Sequence, residues 1–145
     1  MAVEISRQLT LNATPDAIAE VLVDLDHWPD WFALHKGWAG AAPGRASKGL
    51  TFKHKVRVLG VPGDIEWTVT DLDVPDHFAV KGKGSNRTNA EIDFRVTPAG
   101  HGSDVAFTAK LGGLTLKPFE GMVKTWLDVR VERTVNALRA RVEPQ

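Results

Sequence analysis

Apolar and polar residues alternate along several stretches of the chain, and this period of two is typical of strands with one buried face. One stretch begins at the N-terminus, and five more follow residue 50, separated by turn residues such as Gly, Pro and Asp. No helical pattern separates the later stretches, so the sequence predicts antiparallel strands joined by short turns. The apolar sets are Val3, Ile5, Leu9 and Leu11; Phe52, Val56 and Val58; Ile65, Trp67 and Val69; Phe78 and Val80; Ala90, Ile92, Phe94 and Val96; and Val105, Phe107, Ala109 and Leu111.

Two short helices are predicted between the first strand and the rest of the sheet. Thr14 can cap a helix over residues 15–25, in which a proline occupies the favoured first position. The apolar residues of this segment fall on one face, as in a helix packed on a core. Pro29 interrupts the pattern, so we expect Trp31 and Phe32 on a second short helix.

A long helix is predicted to begin at Pro118 and to end near Val142. At 1.5 Å per residue it spans about 35 Å, which is long enough to cross the whole sheet. A strongly twisted sheet that wraps around one helix leaves a wedge that the helix does not fill, so the pattern predicts a ligand-sized space between them. The predicted apolar stripe of this helix is Phe119, Met122, Val123, Trp126, Leu127, Val131, Ala137 and Leu138.

The order of elements therefore predicts an α+β fold. A curved antiparallel sheet of six to seven strands, with two short N-terminal helices, is crossed by one long C-terminal helix. The chain has 145 residues, which suits a single domain over residues 1–145.

Charge and cysteine content narrow the classes of function. Lys plus Arg and Asp plus Glu both number 18, and this balance argues against nucleic-acid binding by general charge and gives no support for a strong membrane anchor. The absence of cysteine excludes disulfides and thiolate chemistry. Lys53, Lys55 and Arg57 form a basic strip, which we interpret as a solvated outer face of the sheet. No transmembrane stretch or signal peptide is recognisable, so a cytoplasmic location is expected.

Three polar side chains fall on faces that should be apolar: Arg7 in the first strand, His54 in the second, and Arg130 on the long helix. A buried cation without a partner is costly, so each is expected to be paired, to lie at a pocket mouth, or to face a ligand. Asp71 shares the predicted inward face with Trp67 and is a candidate partner. In the alternative, a β-bulge turns Arg7 outward, His54 is a hydrogen-bonded core residue, and Arg130 extends to solvent.

Motifs for catalysis are sparse. His54 and Asp71 are weak candidates for a general acid–base pair, and no motif supports them. The five histidines show no ligand spacing, so neither a metal site nor a cofactor is predicted.

The predicted pocket lining combines these polar residues with side chains that project from the sheet and the helix, although ordinary core packing is the alternative for most of them. His35 can reach the pocket mouth from a loop. The candidate ligand-binding residues are Arg7, His35, Phe52, His54, Trp67, Phe94, Phe107, Met122, Trp126 and Arg130.

The element order, together with the segment DHWPDW at 26–31, resembles the helix-grip superfamily. This superfamily is also called START-like or SRPBCC, and it includes polyketide cyclase/dehydrase-like and birch-pollen-allergen-like proteins. The resemblance covers essentially the whole chain and implies a hydrophobic or amphipathic small-molecule pocket.

Three separated segments are similar to an actinobacterial SRPBCC subgroup described as toxins of type II toxin–antitoxin pairs. They are WFALHKGW at 31–38, LGVPGDIEWTV at 59–69 and LGG at 111–113. This resemblance implies an antitoxin protein as a partner.

The expected function is therefore binding of a hydrophobic or amphipathic small molecule between the sheet and the C-terminal helix, and the subgroup resemblance implies a toxin role. The inward polar residues favour a ligand with an oxygen-rich or acidic end. The alternative is a polyketide cyclase/dehydratase-like enzyme that acts on an aromatic or polyketide substrate; catalysis is the less favoured of the two. The oligomeric state is left open.

Overall fold

The computed structural model describes residues 2–33, 35–39, 43–84, 87–113 and 116–143. Leu34, which belongs to the segment at 31–38, lies outside the described residues. The elements are Ala2–Leu11 (β1), Pro15–Val23 (α1), a 3-10 helix at Leu25–Asp30, Gly37–Trp38 (β2), Thr51–Val58 (β3), Val61–Asp73 (β4), His77–Gly84 (β5), Thr88–Ala99 (β6), Gly102–Gly113 (β7), a 3-10 turn at Lys117–Phe119 and Glu120–Val142 (α2).

The strands form one antiparallel sheet in the order β1-β7-β6-β5-β4-β3-β2. Sequential strands from β3 to β7 are neighbours, because short turns join them, and β1 closes the series against β7. The long helix α2 packs across the inner face of this sheet. The predicted α+β helix-grip fold is thereby confirmed.

The N-terminal helices differ in detail from the prediction. Thr14 caps α1 by accepting a hydrogen bond from the backbone N–H of Ala17, as expected. The second short helix comes earlier than predicted, because the 3-10 segment Leu25–Asp30 accommodates Pro29. Trp31 is its C-terminal cap rather than its start, and its side chain turns into the core.

A β-bulge in β4 overturns the predicted position of Asp71. The register against β5 shifts between Val69 and Asp71, so that Asp71 pairs with Ala79 on the outer face of the sheet. The expectation that Asp71 shares the inward face with Trp67 is wrong, because the extra residue at the bulge reverses the alternation.

The apolar face of α2 is rotated from the predicted stripe. Phe119 and Met122 are 50% and 61% exposed, and Trp126 is half-buried. The prediction missed Thr134, which is buried and accepts a hydrogen bond from the backbone N–H of Ala33. The residues that α2 does bury are Val123, Leu127, Val131, Thr134, Val135 and Leu138.

Candidate ligand cavity and the aromatic core beside it

Aromatic side chains fill the interior at the end of the sheet where β4 turns into β5. Trp28 is fully buried, and its Nε1 donates to the backbone oxygen of Leu22 at 2.8 Å. Its ring packs at centroid distances of 5.1 to 6.1 Å against four neighbours, mostly edge to face. The four neighbours are Trp31, Phe32, Phe52 and Phe78.

A cavity of about 280 Å³ lies at the opposite end of the sheet, under the first turn of α2. Its mouth is formed by the β3–β4 turn, the ends of β5 and β6, and residues 116–119 before α2. Aliphatic side chains dominate its walls, and Asp64 is the ionisable residue among the described lining. The lining consists of Val56, Val58, Leu59, Val61, Pro62, Gly63, Asp64, Ile65, Gly84, Thr88, Leu116, Phe119 and Met122.

Trp67 and Leu127 lie at the inner end of this space. They line a residual cavity of about 20 Å³ that shares Val56, Val58 and Ile65 with the larger one. The indole of Trp67 rests against Gly82 of β5, where a Cβ atom would come within 2.8 Å of the ring. Glycine at this position therefore leaves room for the Trp67 ring, which forms the floor of the residual cavity.

A chain of hydrogen bonds continues from this floor toward the surface. Trp67 Nε1 donates to His54 Nε2 at 2.8 Å, and His54 Nδ1 lies 2.9 Å from His35 Nδ1. An indole N–H can only donate, so His54 Nε2 accepts and the proton of neutral His54 is on Nδ1. His54 therefore donates to His35 Nδ1, which leaves the His35 proton on Nε2.

The two histidines are held neutral. Burial, with a contribution from nearby His35, lowers the pKa of fully buried His54 to about 3. Burial also lowers the pKa of half-buried His35. His54 is thus a hydrogen-bonded core histidine, as the alternative interpretation held, and its ring does not line the cavity.

The predicted ligand-binding residues separate into groups. Met122 lines the cavity and Trp67 lines its inner end, whereas the others lie elsewhere among the described residues. Phe52 and Phe94 pack in the aromatic core, and Phe107 meets Phe94 edge to face at a centroid distance of 4.7 Å. Their role in binding stays a prediction.

The cationic candidates have partners of their own. Arg7 does project toward α2, and it forms ion pairs there with Asp128 and Glu132 rather than with Asp71. The Arg130 guanidinium lies 5.1 Å from the ring centroid of half-buried Trp126. Neither side chain lines the cavity, so the inward charges that favoured an acidic ligand end are satisfied within the protein.

The proposed acid–base pair of His54 and Asp71 does not form. Asp71 contacts His77 Nδ1 on the outer face, and Asp93 Oδ2 lies 2.6 Å from His77 Nε2. Burial lowers the pKa of His77, but the hydrogen bonds to Asp93 and Asp71 outweigh it and raise this pKa overall. This arrangement is an ion-pair cluster of the sheet surface and is separated from the cavity by the sheet.

Sequence reasoning missed most of the cavity mouth. Leu59 belongs to the β3–β4 turn, Val61 and Pro62 begin β4 directly after it, and Leu116 precedes α2. Turn residues are expected to be polar, so the apolar LGVP run at 59–62 was a signal that could have identified this site.

Within the described residues, no group of three or more His, Asp or Glu side chains is arranged to hold a metal. None of the described helices is long and apolar enough to cross a membrane.

Comparison with known proteins agrees with this architecture. The model of the family "Polyketide cyclase / dehydrase and lipid transport" matches residues 2–143, so the chain belongs to this family. Toxin Rv0910 of Mycobacterium tuberculosis is 32% identical over 100 residues, which cover 69% of each chain. The START-like resemblance and its toxin-named subgroup are therefore confirmed.

Two solved structures share the fold. A START superfamily protein from Mycobacterium smegmatis has a TM-score of 0.76 and 22% identity, with 96% of each chain covered. The Zhui aromatase/cyclase from Streptomyces sp. R1128 has a TM-score of 0.78 and 15% identity, and the match covers 98% of this chain and 94% of that one. At these identities the likeness concerns the fold.

Proposed function

We propose that this protein binds a hydrophobic or amphipathic small molecule in the cavity between the sheet and the start of α2. The observation that carries this proposal is an open cavity of about 280 Å³ whose walls are mainly aliphatic. Apolar walls with few polar groups are the usual make-up of small-molecule sites. A ligand that displaces water from such walls gains the hydrophobic free energy of both surfaces.

The size and polarity of the cavity narrow the ligand class. Ligand sites commonly measure roughly 300–1,000 Å³, so this one suits a compact ring system or a short acyl chain. Asp64 and Thr88 provide the polar side chains of the lining, and both lie near the mouth. A hydroxyl or other polar end of the ligand is therefore expected at the mouth, with the apolar part directed toward Trp67.

The cavity geometry favours binding over the cyclase or dehydratase alternative. A general acid or base must reach the atom that it protonates or deprotonates. Both ring nitrogens of His54 are engaged by Trp67 and His35, and Asp71 lies on the other side of the sheet. Neither candidate is in reach of a molecule in the cavity.

Binding is tested with the neutral fluorescent probe N-phenyl-1-naphthylamine. We expect saturable binding by the wild type and at least tenfold weaker binding by Val58→Trp, because the added ring occupies the cavity. Val74→Trp is the matched control, since Val74 is 42% exposed at the opposite end of the sheet. If the wild type shows no saturable binding, or if both variants bind as it does, the proposed function is wrong.

A toxin role is the second proposed function, and the name of the relative Toxin Rv0910 supports it. Expression in a native-like host is expected to arrest growth, and co-expression of a small protein encoded by the adjacent gene is expected to relieve the arrest. Val58→Trp then shows whether arrest requires the cavity. Normal growth on expression of the wild type would remove the toxin role without affecting ligand binding.

A further inference from the structure

Large apolar side chains are exposed around the cavity mouth. Val61 is 58%, Phe119 50% and Met122 61% exposed, and all three line the cavity. Val61 begins β4, whereas Phe119 and Met122 belong to the 3-10 turn and the first turn of α2, so segments far apart in sequence meet at this end of the sheet. Exposure of such side chains to water is unfavourable, and covering them releases this free energy. Their convergence therefore marks an interaction surface.

Exposed cations accompany these apolar residues. Arg57 is near the end of β3, Arg87 precedes Thr88 of the lining, and Lys117 and Lys124 flank the exposed start of α2. None of these four takes part in an ion pair between described residues. The end of β3, the start of β6 and the start of α2 thus each place beside the apolar rim a positive charge with no ion-pair partner among the described residues.

A shallow depression extends the positive charge across the outer side of the β3–β4 hairpin. It measures about 490 Å³, and its charged lining consists of three cations, Lys36, Lys55 and Arg57, and one carboxylate, Asp64. The depression shares Val56, Pro62, Gly63 and Asp64 with the apolar cavity. Apolar and cationic surfaces therefore meet at the hairpin.

The two ends of the sheet differ in charge. The β4–β5 turn, at the end remote from the cavity, carries the exposed carboxylates of Asp73 and Asp76. Two carboxylates, Asp64 and Glu120, lie at the mouth, but the cations named above outnumber them, so positive charge is in excess there although the net charge of the whole chain is zero. A negatively charged surface attracts the end with excess positive charge and repels the acidic end. The protein is therefore oriented with its cavity mouth toward such a surface.

We propose that the cavity mouth docks on an anionic lipid bilayer, with Val61, Phe119 and Met122 entering the headgroup boundary and the surrounding cations contacting lipid phosphates. The proposal rests on the proposed function, because it names the source from which an apolar ligand reaches the cavity. Exposed apolar groups ringed by Lys and Arg are the pattern of reversible attachment to anionic membranes.

A bilayer fits this surface better than an acidic protein does. The exposed apolar residues are also the walls of the cavity, so a protein that covered them would close the mouth. A fluid bilayer covers the same residues and leaves the opening in contact with acyl chains.

The test is co-sedimentation with vesicles of phosphatidylcholine, with or without phosphatidylglycerol. The wild type is expected to bind the anionic vesicles, and to bind less as salt rises. Each cation near an anionic surface contributes roughly a fivefold gain in affinity. The triple variant Arg57→Glu, Lys117→Glu and Lys124→Glu is therefore expected to bind on the order of 100-fold more weakly.

Matched variants separate charge from structure. The triple variant Arg57→Lys, Lys117→Arg and Lys124→Arg keeps every charge and is expected to bind as the wild type does. Val74→Ser, which changes an exposed apolar residue at the opposite end, is likewise expected to leave vesicle binding unchanged. Both charge variants are expected to bind N-phenyl-1-naphthylamine with wild-type affinity, because none of these three cations lines the cavity.

The two proposals fail in different ways. A wild type that binds the probe but not anionic vesicles overturns docking alone, and so does equal binding to neutral and anionic vesicles. Capture of an acidic protein partner by the mouth, with no vesicle binding, also overturns it. A wild type that binds vesicles but not the probe overturns the proposed function instead.

Discussion

The two ends of the interior are built on the same strands and yet are filled in different ways. At the β4–β5 end, residues 28–32 fold into the space between sheet and α2, and their rings meet Phe52 and Phe78. At the β3–β4 end no comparable segment of the described residues enters, and the first turn of α2 covers a cavity of about 280 Å³. The position of a binding space in this fold thus depends on where a short connecting segment places its large side chains. Trp67 marks the boundary between the two ends.

Removal of the Trp28 side chain is expected to have the largest effect on stability, because its ring contacts four other aromatic rings at the packed end. Trp28→Ala deletes a fully buried ring and its hydrogen bond to Leu22, and should lower the free energy of unfolding by about 3–5 kcal/mol. Urea denaturation measures this loss. Trp126→Ala is the control: Trp126 is half-buried, so about 1 kcal/mol is expected. Equal losses would contradict the difference in packing.

Gly82→Ala is expected to disturb the boundary between the ends. The added Cβ would lie 2.7 Å from Ile65 Cγ2 and 2.8 Å from the Trp67 ring, so the free energy of unfolding should fall by about 1–3 kcal/mol. The NMR signal of the Trp67 indole N–H should shift as its bond to His54 is strained. Gly121→Ala is the control, because a Cβ there meets no atom within 4 Å, and helix propensity predicts a gain of up to about 1 kcal/mol.

The buried histidine gives the packed end a sensitivity to acid. The pKa of His54 is lowered to about 3, so its contribution to stability is complete above the ordinary value of 6.5 and is lost as the pH falls toward 3. One pH unit below 6.5, this loss is about 1.4 kcal/mol. Urea denaturation at a pH well above 6.5 and at one pH unit below 6.5 measures this loss. The variant His54→Gln should not show this part of the pH dependence. An unchanged slope in the variant would show that His54 is not the source.

His77 should give the smallest effect, with the opposite sign. Its pKa is raised, so its contribution is complete below the unfolded value and is lost as the pH rises through the folded value. The cluster lies at the surface, so we expect a contribution under about 1 kcal/mol. Thermal unfolding between pH 6 and 8 should show a flatter profile for His77→Gln, and the exposed His101→Gln variant should follow the wild type.

The sequence predicted the strands, because alternation identifies the buried face of each one separately. Such reasoning fails where one extra residue reverses the alternation, as at the bulge before Asp71. It also fails where rotation of a helix depends on the partner surface: Met122 belongs to the sequence stripe but faces solvent at the cavity mouth.

The candidate site was harder to predict than the fold. A pocket was expected between sheet and helix, but its position depends on which side chains leave space unfilled. The partners of Arg7 lie more than a hundred residues away on α2, and no local pattern connects them. The neutral state of His54 likewise depends on its burial and on nearby His35, which only the folded chain brings about.

The pairing of β1 with β7 has a consequence for the synthesis of the protein. Among the described strands β1 has β7 as its neighbour, and the two are separated by about ninety residues. At translation rates of about 5–20 residues per second, the first strand waits roughly 5–20 s for its partner to be made. During that time its apolar face is available to a chaperone or to another nascent chain. The order of translation therefore makes the first strand the last part of the sheet to be protected.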